Sequence, residues 1–289
     1  ELSTISGVVE DVAEVILNRF SKPIQVYNYQ ISITPSIGIS FYPDNGETSE
    51  TLLKNADTSM YLAKSNGRNQ FALYSNELNY MMQRKMQLET DLNMAIENGS
   101  LSLHYQPKVD LQTRKIVGFE ALLRWKHPTY GNIPPDEFIP IAEDTGQIVQ
   151  IGDWVLYMTC KQLTKLQQMG YDKLVMCVNV SVKQFQHKEF LSNVKKIIEQ
   201  TGVKPTNIIL EITESIKNLV DSKRILQELK IFGIKTSLDD FGTGYSSLSV
   251  LKTLPINAIK IDKTFIQNNT DKDNAILKTI MDLGYNLNL

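Results

Sequence analysis

The chain has 289 residues, 42% of them apolar, and a formal net charge of −2. That length allows one large barrel domain or two domains, and the apolar share supplies a sizeable core. Nearly balanced charge excludes a nucleic-acid tract or a basic membrane patch, and no apolar run approaches the roughly 20 residues of a membrane span.

A first helix is expected where Val8, Val12, Val15, Ile16 and Leu17 recur at helical spacing. Strand-like runs follow at Ile24 to Tyr27 and Ile31 to Phe41, then a turn at Pro43-Asp44-Asn45-Gly46. A second helix carries Leu52, Leu53, Ala56, Met60 and Ala63 on one face and stops at Gly67. Gln70 to Tyr74 reads as a closing strand. This segment is too small for a whole α/β domain and reads as the latter half of one.

Ser75 to Asn79 is a polar connector. The next helix spans Met82 to Ile96, with Leu88, Leu92 and Ala95 inward and Gly99 at its C-terminal end. Strands then fall at Leu101–Pro107, Ile116–Trp125, Leu174–Val182, Ile208–Ile212, Lys235–Leu238 and Ala258–Ile261. Helical stretches lie near 151–169, 188–200, 219–231 and 271–283, and such alternation predicts a mainly parallel sheet. Asn286 to Leu289 reads as the first half of another strand.

Most of these strands deliver a polar group at or near their ends. Glu120 opens EALLRW, Asn179 sits in CVNVS, and Glu211 and Glu214 sit in ILEITES. Asp239 and Asp240 precede the glycine-rich FGTGY, and Lys260 sits in AIKID. Each has an ordinary reading: a helix start for Glu120, a hydrogen-bonded core amide for Asn179, a lysine ion pair for Glu211 and Glu214. The Asp239-Asp240 pair fits a strand-to-helix turn with an N-cap Asp, and Lys260 a lysine that snorkels from a strand end. Their joint order along alternating strands favours one pocket. Several acids there repel one another unless divalent cations neutralise them. Oxygen ligands favour Mg²⁺ or Mn²⁺, and paired ions of that kind serve phosphodiester hydrolysis. Arg124 is suited to clamp a phosphate oxygen, or to a surface ion pair. His104, His127 and His187 lack metal-ligand spacing and read as structural or surface residues. Cys160 and Cys177 have no framework spacing and read as buried free thiols of a reducing compartment.

From about residue 82 to the end the chain resembles the EAL family of cyclic di-GMP phosphodiesterases. The matching pieces are YQP at 105–107, EALLRW at 120–125, FIPIAEDTGQIVQIGDWVL at 138–156, NVS at 179–181, LEITES at 210–215, DDFGTGYSSL at 239–248 and IKID at 259–262. Residues 1 to about 75 resemble the C-terminal half of a GGDEF diguanylate cyclase domain through SIGISFYP and ADTSMYLAKSNGRN. The division expected is 1–76 and 77–289.

The resemblance implies a modified TIM-type (β/α) barrel, its first strand antiparallel, preceded by half of an α/β GGDEF domain. It implies opening of cyclic di-GMP to linear pGpG with two Mg²⁺ or Mn²⁺ ions. Glu120, Asn179, Glu211 and Asp239 match metal-binding positions, and Asp240 the acid of the second metal. Lys260 matches a lysine near the attacking water, and Glu214 the glutamate that holds the DDFGTGYSS loop. Gln106 and Arg124 match substrate-contacting positions; Lys64 and Arg68 match GGDEF residues that touch nucleotide phosphates. No nucleic-acid polymer is expected as partner; a homodimer through the EAL domain and a cytoplasmic site are. A rival is a receptor or scaffold that binds cyclic di-GMP without turnover, but the acid motifs are complete.

The GGDEF motif and the family's AEGVE segment, with its further metal-ligating Glu, lie outside these residues. The chain accordingly reads as an internal fragment with an incomplete barrel, without cyclase activity, poorly soluble and with little phosphodiesterase activity by itself. Residue 1 opens no signal peptide and is not a start Met, so a membrane or sensory segment is expected elsewhere in the parent.

Overall fold

Short β-branched runs give the first 88 residues only short strands. The computed structural model describes all residues except 1, 66, 219–220, 243–250, 252 and 268–269. They fall into two units, Glu1–Leu88 and Glu89–Leu289, each described by itself.

In the first unit, helix α1 (Leu2–Phe20) precedes an antiparallel hairpin of β1 (Ile24–Val26) and β2 (Tyr29–Ile31). Strands β3 (Ser36–Ile39) and β4 (Gln70–Leu73) pair in parallel, joined by helix α2 (Ser49–Ser65). Gly38 makes this packing feasible. A Cβ there would lie 1.9 Å from the Ala56 carbonyl oxygen and 2.3 Å from the Met60 nitrogen, so the helix backbone rests directly on the strand. Two expectations change. The run expected from Ile31 to Phe41 is split, because β2 ends at Ile31 and β3 starts at Ser36, beyond Pro35, which has no N–H to give a ladder. The face of α2 turned inward is made by Ser59 and Ala63, whereas Leu53 and Met60 are exposed; the close approach at Gly38 favours small side chains.

In the second unit, β5 (Leu101–Val109) and β6 (Ile116–His127) form an antiparallel pair, and β7 (Gly131–Ile133) adds to β6. Strands β8 (Val175–Val180), β9 (Ile208–Thr213), β10 (Lys235–Phe241) and β11 (Ala258–Ile261) then follow in parallel, in the order β5-β6-β8-β9-β10-β11. This is the strand order of a β/α barrel whose first strand runs against the rest. Helix α3 (Asn76–Leu92), most of which belongs to the first unit, comes before the sheet in the chain, and α4 (Pro135–Thr145) and α5 (Ile148–Gln168) connect β7 to β8. Helices α6 (Val182–Phe185) and α7 (Phe190–Thr201) connect β8 to β9, and α8 (Ser222–Phe232) connects β9 to β10. Helices α9 (Thr264–Gln267) and α10 (Asp271–Leu287) follow β11.

The strand expected at Asn286–Leu289 is absent. Helix α10 runs through Gly284 to Leu287, and Asn288 closes it at φ 56°, a left-handed position that asparagine tolerates. The core of this unit is built mainly from branched aliphatic and aromatic groups. Ile208, Leu210 and Ile212 line one face of β9, and Trp125, Phe138 and Phe185 fill space beside the sheet and helices, all almost fully buried. No helix among the described residues is long and apolar enough to cross a membrane.

Candidate active site

Side chains alternate across a strand, so register decides which residues share a face. Gln106 lies opposite Glu120, and Glu120 opposite Cys177. Asn179 lies opposite Glu211, and Glu211 opposite Ser237, two residues before Asp239. Gln106, Glu120, Asn179, Glu211 and Asp239 thus fall on one face of five neighbouring strands. The opposite face of β8 and β9 carries Met176, Val178, Val180, Ile208, Leu210 and Ile212, all buried. Apolar packing on that face holds the polar face in register.

Lys260, from β11, joins the acids. Its Nζ donates to Glu211 Oε2 at 2.8 Å, Glu120 Oε2 at 2.9 Å and Asp239 Oδ2 at 3.1 Å. One oxygen from each of these three carboxylates lies within 4.8 Å of the others. The Asn179 amide nitrogen donates to Glu120 Oε1 at 2.9 Å. Five of the residues singled out in the sequence are therefore brought together.

A sixth participant lacked any sequence signal of its own. Lys108 Nζ donates to Glu211 Oε1 at 3.1 Å and to Cys177 Sγ at 3.1 Å. The Glu211 side chain is 0% exposed, and a buried carboxylate is costly unless paired and hydrogen-bonded. Burial alone would push its pKa up; hydrogen bonds and charge from Lys260 and Lys108 outweigh that and hold it below the usual carboxylate value. Burial opposes the charge on Lys260 too, but its bonds to Glu211 and Glu120 and the charge of Asp239 raise its pKa well above that of free lysine. The acids around it thus favour the charged form of Lys260. At Asp239 burial prevails over Lys260 and raises the pKa. Burial pushes the Cys177 and Cys160 thiols up to about 12, so both are neutral, buried and free of disulfide.

Asp239 and Asp240 sit at an irregularity. Leu238 pairs with Ile259, but Phe241 pairs with Ile261, so β10 holds one residue more than β11 there. Asp240 takes up the kink at φ 52°, and its N–H donates to Asp239 Oδ1 at 2.8 Å. Gly242 follows at φ 102°, and a Cβ there would lie 2.8 Å from the Phe265 ring. The Gly242 N–H donates to Glu214 Oε1 at 3.3 Å. Residues 243–248 of the glycine-rich motif lie outside the described residues.

Arg124 is on the same face of β6 as Glu120 and donates from Nη1 to the Leu123 carbonyl at 2.8 Å. Gln106 is exposed. Lys64 and Arg68 belong to the first unit, at and just beyond the C-terminal end of α2, and are exposed. Cations there complement a helix C-terminus. His127 is structural: its Nε2 meets Asp91 Oδ2 at 2.8 Å and its Nδ1 accepts the Thr129 and Tyr130 N–H groups.

The donor set tests what such a site accepts. Three carboxylates and one amide are hard oxygen donors, with no thiolate or imidazole among them. Two lysines leave that trio of acids one positive charge short, so the residues present fit a divalent cation.

Fold and site together define a β/α-barrel domain with an acidic cluster, of a composition that fits a metal ion, on one face of its sheet. Comparison with known proteins agrees. The EAL domain family model matches residues 89–289, and the model of the diguanylate cyclase GGDEF domain matches residues 3–70. The chain belongs to the EAL domain family. It is 42% identical over 282 residues to the bifunctional diguanylate cyclase/cyclic di-GMP phosphodiesterase MucR of Pseudomonas aeruginosa, covering 96% of this chain and 41% of that protein. It is 35% identical over 282 residues to the cyclic di-GMP phosphodiesterase NbdA of the same organism, covering 96% of this chain and 36% of that one. A solved structure described as PaMucR phosphodiesterase in complex with c-di-GMP superposes with a TM-score of 0.68 at 43% identity, covering 70% of this chain and 84% of that one. The chain spans less than half the length of these curated relatives.

Proposed function

We propose that residues 89–289 belong to a metal-dependent phosphodiesterase that hydrolyses cyclic di-GMP to linear pGpG, within a larger two-domain signalling protein. One P–O3′ bond of the cyclic dinucleotide breaks, water adds hydroxyl to phosphorus, and its remaining proton ends on the released 3′ oxygen. The observation that carries the reading is the trio Glu120, Glu211 and Asp239 closed around one lysine. Relatives bearing this activity in their names support it.

In this reading Glu120, Asn179, Glu211 and Asp239 hold metal, Asp240 serves a second ion, and the ions are Mg²⁺ or Mn²⁺. When bound, such ions would offset carboxylate charge, stabilise phosphoryl oxygens and make water a competent nucleophile at neutral pH. The chain's own groups do the rest. Lys260, whose charged form the acids favour, donates at the position where water attacks. Arg124 and Gln106 bind the dinucleotide; Arg124 breaks its bond to the Leu123 carbonyl to reach a phosphate oxygen. Glu214 anchors the turn after Asp240 through the Gly242 N–H, which keeps the two aspartates aimed. Lys64 and Arg68 serve nucleotide phosphates in the GGDEF-like part. The remaining assignments are a division at 76/77, a cytoplasmic location and a homodimer through the EAL domain.

The test is pGpG release from cyclic di-GMP by the natural full-length protein with Mn²⁺, beside a Glu120→Gln variant. Tight binding of cyclic di-GMP without metal-dependent turnover would replace the enzyme with a receptor.

A further inference from the structure

Glu211 is held from two sides. Its Oε2 accepts from Lys260, which also bridges Glu120 and Asp239. Its Oε1 accepts from Lys108, which comes from the antiparallel strand β5, 103 residues away in sequence. The Lys108 ammonium has a second contact, the Cys177 sulfur at 3.1 Å, on the strand between β6 and β9. Glu211 and Cys177 are buried, the Lys108 side chain that reaches them is 38% exposed, and a buried carboxylate turns to whichever donor is available.

We propose that Lys108 is a positioning residue for Glu211: it claims Oε1, fixes the plane of the carboxylate and leaves Oε2 as the oxygen offered to the acidic centre. The inference rests on the metal-centre reading above and adds a residue to it. Without Lys108, Oε1 is left buried with no cation. The carboxylate then rotates towards Lys260, and both of its oxygens compete for one ammonium. Groups that orient ligands in this way are typically worth about 10- to 100-fold in metal affinity or activity. Cys177 helps by holding the ammonium. Its thiol is neutral, so it contributes as a weak acceptor and no redox role is implied.

The experiment is calorimetric titration of Mn²⁺ alone into the natural protein, without substrate, with Lys108→Met, Lys108→Arg, Glu211→Gln and the Lys108→Met/Glu211→Gln double variant. Lys108→Met should weaken Mn²⁺ binding by about 10-fold or more, while Lys108→Arg, which keeps a cation beside Oε1, should stay within about threefold of wild type. Once Glu211 is Gln, Lys108→Met should cost almost nothing further, because the two act through one contact. Equal affinity in Lys108→Met and wild type overturns the proposal, as does an undiminished Lys108→Met effect in the Glu211→Gln background. Should Lys108→Met not fold, Lys108→Gln and Lys108→Arg carry the same comparison. Wild-type protein that binds no Mn²⁺ contradicts the metal-centre reading itself and is distinct from either outcome.

Discussion

The two units of this chain carry similar apolar patterns and use them differently. In the second unit the apolar faces of the central strands β8 and β9 are covered, as at Ile208, Leu210 and Ile212, and the covered face fixes the register of the acids opposite. In the first unit Val8, Val12 and Val15 of α1 repeat at helical spacing yet are exposed, and among its described residues the buried apolar positions are Ala13, Ala63 and, at its very end, Leu88. Periodicity marks a face that can be buried. Only packing decides whether it is, and a site needing sub-ångström placement sits on strands whose opposite face is packed.

The comparison can be broken most directly at Glu211. Glu211→Ala should abolish turnover in the natural protein and cost about 3 kcal/mol or more of stability, because it leaves Lys108 and Lys260 beside an empty buried position. Unfolding by urea and pGpG release on the same sample would show both losses. Retention of either stability or turnover removes Glu211 from the centre of the account. Next comes the core. Phe138→Ala should cost about 3–5 kcal/mol, whereas Val12→Ala should stay within about 0.5 kcal/mol. Equal penalties would mean that α1 is covered in solution.

Acid and base behaviour sharpen the contrast inside the site. The lowered pKa of Glu211 gives stability above the unfolded-state carboxylate value, lost as pH falls through the lower folded value. The raised pKa of Lys260 gives stability below the ordinary lysine value, lost as pH climbs through the higher folded value. Metal-free stability should therefore fall on the acid side, below the ordinary carboxylate value, and on the alkaline side, above the ordinary lysine value. Asp239 has the opposite sign for an acid: its raised pKa means that the charged form costs stability at neutral pH. Asp239→Asn should then move the melting temperature in EDTA by no more than about 3 °C, while Glu211→Gln lowers it by more. A larger drop for Asp239→Asn would reverse this assignment. The smallest effect belongs to the first unit: Lys64→Ala and Arg68→Ala should leave pGpG release within about twofold of wild type, a change worth less than ~0.5 kcal/mol.

Much of the second unit was legible because parallel strands buried on both faces read as β-branched runs. The runs at 208–212 and 258–261 coincide with β9 and β11 almost residue for residue. Each polar residue inside such a run is an anomaly that burial makes costly, and this is why Glu120, Asn179, Glu211, Asp239 and Lys260 stood out together. Lys108 did not, because β5 alternates in exposure and a lysine in such a strand is ordinary until its partner, 103 residues on, is known. Helix α4 was not among the expected helices; Pro134 and Pro135 sit where it begins, a position that tolerates proline, and Pro140 lies inside it. The extra residue in β10 at Asp239 and Asp240 is a matter of pairing with β11, which no single segment reveals. Asn286 to Leu289 has no β-branched residue, and helix α10 simply continues into it.

The central claim is that Glu120, Glu211 and Asp239 form one cation-demanding centre that opens cyclic di-GMP. Steady-state pGpG release by the natural protein, measured across Mn²⁺ concentration for wild type and Glu211→Gln, addresses it most directly. The account predicts turnover that saturates with Mn²⁺, disappears in EDTA and falls by at least about 100-fold in the variant. Wild-type turnover in Glu211→Gln, or hydrolysis that persists in EDTA, would contradict it.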